Sequence, residues 1–205
     1  MTIGKFVVFE GIDGSGKSTQ CQLLYDRLVK NEIPAALVRE PGGTKTGEQI
    51  REWLSSGSDI DPMSELLLFS AARSALIHQK IMPALHQGRI VISDRYMYSS
   101  IAYQSFARGV DLDKTLRVNA ISTGELIPNI VFLIDMPPEI SLQRIDSDEE
   151  DRFEKEQIDF HRKVRQGFLH LASQDKDLWS TINGENRRDD IHEAIWAELN
   201  EKTIG

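Results

Sequence analysis

The sequence predicts an α/β protein, a doubly wound five-stranded parallel sheet with helices on both faces. Short apolar runs recur at Phe6–Phe9, Ala35–Val38, Ile90–Ile92 and Ile130–Ile134, with a weaker one at Leu178–Ile182. Longer stretches with helical spacing separate them, and strands alternating with helices assemble as parallel sheets covered on both sides. A glycine-rich turn comes directly after the first run, which is where such sheets bind phosphates.

Phe6–Phe9 leads into "FEGIDGSGKSTQ", where Gly11, Gly16, Lys17 and Ser18 satisfy the spacing G-x-x-x-x-G-K-[ST]. Glycines there let the backbone aim its N–H groups at phosphate oxygens, and a helix N-terminus adds a favourable dipole. Gly14, Ser15 and Thr19 complete the loop, so Gly11–Thr19 is the candidate ATP-phosphate cradle. In this chemistry Lys17 bridges the terminal phosphates and Ser18 ligates Mg²⁺. Cys21, Leu24, Tyr25 and Leu28 then fall at helical spacing and mark the first crossover helix. A second stripe, Ala71, Ala75, His78, Met82 and Leu85, marks a long helix from about 64 to 87, with His78 at the core edge. Pro83 is expected to kink that helix or end it early.

Ligands of open parallel sheets sit beyond the carboxyl ends of the strands. The residues there are the glycine loop, Arg39-Glu40-Pro41, Asp94-Arg95 and Asp135. Asp94 is the acidic candidate for Mg²⁺ beside Ser18, with a helix N-cap as its alternative role. Asp135, with Pro137-Pro138 close behind it, reads as a strand-end turn residue. Arg39, Arg73 and Arg95 suggest a cage for a second anion, because the guanidinium fork matches phosphate oxygens.

Composition narrows the function classes. The 205 residues, 40% hydrophobic, can bury a sizeable core, and no linker or repeat divides them, so one domain spanning 1–205 is expected. A net charge of −8 argues against a surface that tracks nucleic acid. No apolar stretch approaches the roughly 20 residues of a membrane span, and the opening residues do not read as a secretion signal. A cytoplasmic protein is expected. The single cysteine, Cys21, excludes an internal disulfide, and the five histidines lack metal-site spacing.

Five segments in register, "FEGIDGSGKSTQ", "VREPGGT", "LLLFSAAR", "SDRYMYSSIAYQ" and "EDRFEKEQIDFHRKV", resemble the thymidylate kinase family from Phe6 to about Ala172. That resemblance implies phosphorylation of dTMP to dTDP, with Mg-ATP as donor, a homodimer and a lid at about 145–152. It implies that Asp13 accepts a hydrogen bond from the acceptor's 3′-hydroxyl, and that Arg39 and Arg95 hold the dTMP phosphate in line for attack. Phe69 and Arg73, four apart on a helix, would stack on the base and reach a base carbonyl. Ser99 and Ser100 would face the base edge, Tyr103 would crowd the sugar's 2′ position, and Gln104 would help at the base. Pro41 resembles the family's cis-proline, which aims Arg39. A methyl pocket supports a dTMP over dUMP preference of only about 10- to 200-fold.

The chain departs from the family at the catalytic arginine. Gly14 occupies the position of the loop arginine, and the expected lid reads "IDSDEED" from Ile145 to Asp151. Arg144 and Arg152 are the flanking cations, Arg152 assigned to the transferring phosphoryl group and Arg144 to adenine or the donor phosphates. The loop "NGENRR", Asn183–Arg188, comes after the last run, where the family contacts adenine, although Asn-Gly is first a turn signal. Two other readings stay open: a kinase for another nucleotide, and an ATP-binding module without catalysis.

Overall fold

The computed structural model describes residues 3–56, 59–145, 153 and 156–204. Five strands, β1 (Lys5–Glu10), β2 (Ala35–Arg39), β3 (Ile90–Asp94), β4 (Ile130–Asp135) and β5 (Trp179–Asn183), form one sheet in the order β2-β3-β1-β4-β5. Every neighbouring pair is parallel. The fold class is therefore the one that the apolar runs predict, and all five runs are strands.

Alternation along the buried strands divides the core in two, because successive side chains point to opposite faces. Val7, Phe9, Ile92, Phe132 and Ile134 pack under α1 (Lys17–Lys30) and α9 (Arg188–Leu199). Phe6, Val8, Val91, Val131 and Leu133 face the other way, toward α3 (Pro62–Leu76), α4 (Met82–His86) and α8 (Ile158–Gln174). Between them in sequence lie α2 (Lys45–Ser55), α5 (Met97–Ser100), α6 (Leu112–Thr123) and α7 (Pro138–Ser141). Cys21 is buried in the first core, as expected of a small apolar residue on the crossover helix.

The long helix differs from expectation. A wide π segment, Ile77–Ile81, joins α3 to α4, and the Met82 N–H bonds Ile77 O five residues back. Pro83 lies on the exposed side, so the helix runs past it to His86 rather than stopping. The buried face also differs in part from the expected stripe, of which Leu85 is buried and Ala75 and Met82 are half-buried. Leu66, Arg73, Leu76, Ile77, Ile81 and Leu85 are buried, whereas Ala71 and His78 are exposed. The extra residue in the π turn rotates the turns that come after it, so constant 3.6-residue spacing does not survive the bulge, while Ala71, ahead of it, is exposed because the buried face of α3 runs through Leu66, Ser70 and Arg73.

Register places the candidate residues. Phe9 and Arg39 both pair with Asp94, so the carboxyl ends of β1, β3 and β2 finish level, with the glycine loop beside Arg39 and Asp94-Arg95.

Candidate active site

A cavity of about 410 Å³ opens at that edge, and it brings together Asp13, Arg39, Pro41, Phe69, Arg73, Asp94, Arg95, Ser99, Ser100, Tyr103 and Gln104. An adjoining cavity of about 550 Å³ runs over the glycine loop, from Gly14 to Thr19, toward Arg144, Asn186 and Arg188. Gly14, Lys17 and Ser18 line both.

The loop's conformation explains its glycines. Gly14 and Gly16 lie at φ 73° and 94°, where a side chain is disfavoured, and Gly16 caps α1. A Cβ at Gly14 would also stand 2.1 Å from Ser141 O. Lys17 is buried, with its Nζ 3.3 Å from Ile12 O and 3.6 Å from Asp13 Oδ1.

Asp13 carries the glycine loop into the first cavity, next to Gly14, which lines both. Its carboxylate accepts from Arg95 Nη2, and from the Tyr103 hydroxyl at 2.7 Å. Burial alone would raise this carboxyl, but Arg95 and Lys17, together with the bonds from Tyr103 and Arg95, hold it well below the usual carboxylate range. It is an anion at neutral pH and can only accept. Arg95 sits in the left-handed region at φ 73°, its N–H on Phe9 O at 2.9 Å. Its guanidinium also donates to Gly11 O and to Ser99 Oγ, at 3.1 and 3.0 Å.

Glu10 stands behind this cluster. Fully buried at the end of β1, it accepts from the Tyr96 and Ser99 N–H groups at 2.9 and 3.1 Å, and from the Ser99 hydroxyl at 2.6 Å. It thereby caps α5 from another element. Burial pushes its carboxyl up to about 7, against the lowering effects of Arg95, Ser99 and Tyr96.

Arg73 lies at the far end, 1% exposed. It donates to Glu40 Oε2 at 2.8 Å, Asn119 Oδ1 at 3.0 Å, Tyr96 O at 3.3 Å and Ser100 Oγ at 3.0 Å. Phe69, one turn earlier, sets its ring 5.8 Å from that of Phe153. Gln104 donates to Glu65 Oε1 at 2.8 Å. Arg39 is at the rim, half exposed, and bonds Glu48 at 3.2 Å rather than pointing only inward. The Glu40–Pro41 bond is cis.

Arg144 donates to Gly184 O at 3.4 Å, which joins the "NGENRR" loop to the second cavity. Arg152, Asp146–Asp151 and most of the expected lid lie outside the described residues. Asp135 accepts both bonds of Arg165, at 2.7 and 2.9 Å, so it anchors α8 to β4 rather than only closing a turn.

Sequence reasoning missed Glu10, Glu65 and Asn119, as well as Arg51 and Phe153, which also line the first cavity, and it named Glu40 at the sheet edge without giving it a role. Glu10 and Glu40 stand directly after or within strand ends, and a carboxylate one residue from a catalytic motif was a usable signal. Asn119 and Glu65 carry none, since they meet Arg73 and Gln104 only through helix packing.

The thymidylate kinase family model matches residues 9–195. A thymidylate kinase from Desulforudis audaxviator is 43% identical over 199 residues, covering 96% of this chain and 90% of the relative. One from Sulfurihydrogenibium sp. is 44% identical over 204 residues, covering 98% of this chain and 100% of the relative. The crystal structure of thymidylate kinase from Ehrlichia chaffeensis superposes with a TM-score of 0.78 at 33% identity, covering 96% of this chain and 98% of that one.

Proposed function

The chain belongs to the thymidylate kinase family, and from that premise we propose that it transfers the γ-phosphoryl group of ATP to the 5′-phosphate of dTMP, giving dTDP and ADP. The observation that carries this reading is that Asp13, inside the phosphate loop, is held by Arg95 and Tyr103 of the neighbouring cavity. Donor and acceptor sites therefore share a wall, which lets two phosphates meet.

An acceptor phosphate oxygen attacks the γ-phosphorus while its bond to the β–γ bridging oxygen breaks, and the electron pair leaves on ADP. Such transfer asks the protein mostly for alignment and charge stabilisation. Lys17 and the N–H groups from Gly14 to Thr19 hold the donor. Arg95 and Arg39 orient the acceptor phosphate, with Arg39 exchanging Glu48 for it. Asp13 accepts from the sugar hydroxyl, while Tyr103, whose phenol burial keeps protonated, limits room at the 2′ position. Phe69 stacks on the base, Arg73 donates to a base carbonyl, and Ser99, Ser100 and Gln104 complete that wall.

Ser18 and Asp94 are the residues that would hold Mg²⁺. Asp94 Oδ1 is buried without a hydrogen-bond partner and Ser18 faces both cavities, which suits an ion that takes few protein ligands and keeps phosphate and water oxygens. When bound it neutralises charge on the donor phosphates. Arg152 supplies the remaining positive charge, and Arg144 supports the donor beside Asn186. Residues 145–152 act as the lid of one domain that spans the chain.

The chain acts as a homodimer in the cytoplasm. Leu67 on α3, and Leu112 and Leu116 one turn apart on the adjoining α6, form an exposed apolar surface suited to a second copy. Among the described residues no helix is long and apolar enough to cross a membrane.

The test is ADP release from Mg-ATP with dTMP, dUMP, dCMP, thymidine or no acceptor. We expect release to be greatest with dTMP, weaker with dUMP by about 10- to 200-fold in kcat/KM, and absent without acceptor. Release that ignores the acceptor, or a clear preference for another one, rejects the proposal.

A further inference from the structure

Arg73 is held from three sides, and the count of its donors shows what remains. A guanidinium carries five N–H hydrogens: one on Nε and two on each Nη. Nε donates to Glu40, and both Nη2 hydrogens are directed to Tyr96 O and Ser100 Oγ. Nη1 donates once, to Asn119 Oδ1 at 3.0 Å. Among the described residues nothing takes the other Nη1 hydrogen, which remains for a ligand in the cavity that Arg73 lines.

Among the described residues Asn119 alone restrains the nitrogen that carries this hydrogen. It is 2% exposed on α6, outside the cavity lining, and its own amide is fixed because Nδ2 donates to Met97 O at 3.0 Å. The reversed amide would set donor against donor at Arg73 and acceptor against acceptor at Met97. The orientation is thus determined by both neighbours, and buried polar groups so placed are costly to unpair.

We propose that Asn119 is the positioning residue for base choice: by holding Nη1 of Arg73 it directs the one uncommitted hydrogen at a carbonyl oxygen of the acceptor base. This rests on the dTMP kinase reading. A base that presents an amino group at that point, such as cytosine, would set donor against donor, and a buried mismatch of this kind discriminates steeply. Without Asn119 the guanidinium keeps two free Nη1 hydrogens and loses its restraint on that side. Discrimination then falls, although the phosphate-handling residues Lys17 and Arg95 are untouched.

The experiment is steady-state kinetics on Asn119→Leu and Asn119→Asp, with dTMP and dCMP as acceptors and folding checked by thermal melting. For Asn119→Leu, KM for dTMP should rise by about tenfold or more, as loss of a bond to a charged group implies. KM for ATP and kcat at saturating dTMP should stay within about threefold, and the dTMP to dCMP ratio of kcat/KM should fall by about tenfold or more. Asn119→Asp keeps an oxygen against Nη1 but loses the bond to Met97 O, so it should melt lower while retaining most of that ratio. If Asn119→Leu does not fold, Asn119→Ser, too short to reach Arg73 yet able to admit a water, is judged by the same criteria. A ratio and a KM for dTMP within twofold of wild type in the Leu variant overturn the inference, as does a folded Asp variant whose ratio falls as far as that of the Leu variant. A wild-type enzyme inactive on dTMP removes the kinase reading and this inference together; an active one with unaffected variants removes this inference alone.

Discussion

Gly14 shows how one position decides where a catalytic charge must come from. Its backbone lies at φ 73°, and a Cβ there would stand 2.1 Å from Ser141 O and 3.2 Å from Ile145 Cγ1. Contacts that short force the backbone to move, so an arginine in this loop would displace the last residue of α7. The positive charge for the transferring group must then come from elsewhere. Arg152→Ala is accordingly expected to lower kcat by at least about tenfold, given what such arginines contribute. Single-turnover and steady-state rates at saturating dTMP and ATP check this, and an unchanged kcat would return the role to Arg144. At this scale legibility was uneven. Lys17, Asp13 and Arg95 were recognisable because each stands in a motif beside a strand end. Glu40 was passed over between Arg39 and Pro41, although it is the buried partner of Arg73.

Elements supply what single residues cannot, as the capping of α5 shows. Glu10 ends β1, yet its carboxylate receives the Tyr96 and Ser99 N–H groups and so fixes the turn that carries Arg95. Burial raises this carboxyl to about 7 from an ordinary value of 4.5. The folded state therefore binds the proton more tightly than the unfolded chain. The stability that Glu10 contributes is full below about pH 4.5 and is lost as pH rises through about 7. Relative to Glu10→Gln, which does not titrate, wild type should lose on the order of 2 kcal/mol between pH 5 and pH 8. Urea denaturation of both proteins at the two pH values measures it, and a constant difference would mean that Glu10 titrates as an ordinary carboxylate. Element boundaries were legible to within a few residues where apolar spacing was regular, as in β1, β3 and α1. The π segments Ile77–Ile81, Ile101–Ala107 and Asn200–Ile204 were not, because a widened turn has no composition of its own. Tyr103 and Gln104 ride on the second of these, so their reach into the cavity depends on geometry that regular helical spacing misstates.

For the whole molecule, the proposed second copy makes a separate prediction. α6 presents Leu112 and Leu116 at 42% and 46% exposure, and α3, which packs against it, presents Leu67 at 50%. A charge placed in an apolar interface would be buried in both copies at once. Leu116→Glu is expected to convert the dimer to a monomer in light scattering behind size exclusion; an unchanged mass would place the interface on another face, and a monomeric wild type would remove the homodimer. The sequence by itself determined the parallel α/β class, the phosphate loop and the family of the chain, because these depend on local spacing and on motifs a few residues long. It also carried the identities of Arg39, Phe69, Arg73 and Arg95. Only the tertiary structure decided what holds them: Glu10 behind Ser99, Glu48 at Arg39, and Glu40 and Asn119 around Arg73. These partners are 33 and 46 residues from Arg73 and 89 residues apart for Glu10 and Ser99. Strand register and helix packing close such distances, and no short window of sequence contains both members of those pairs, whereas Glu48, nine residues from Arg39, is brought to it by the turn into α2.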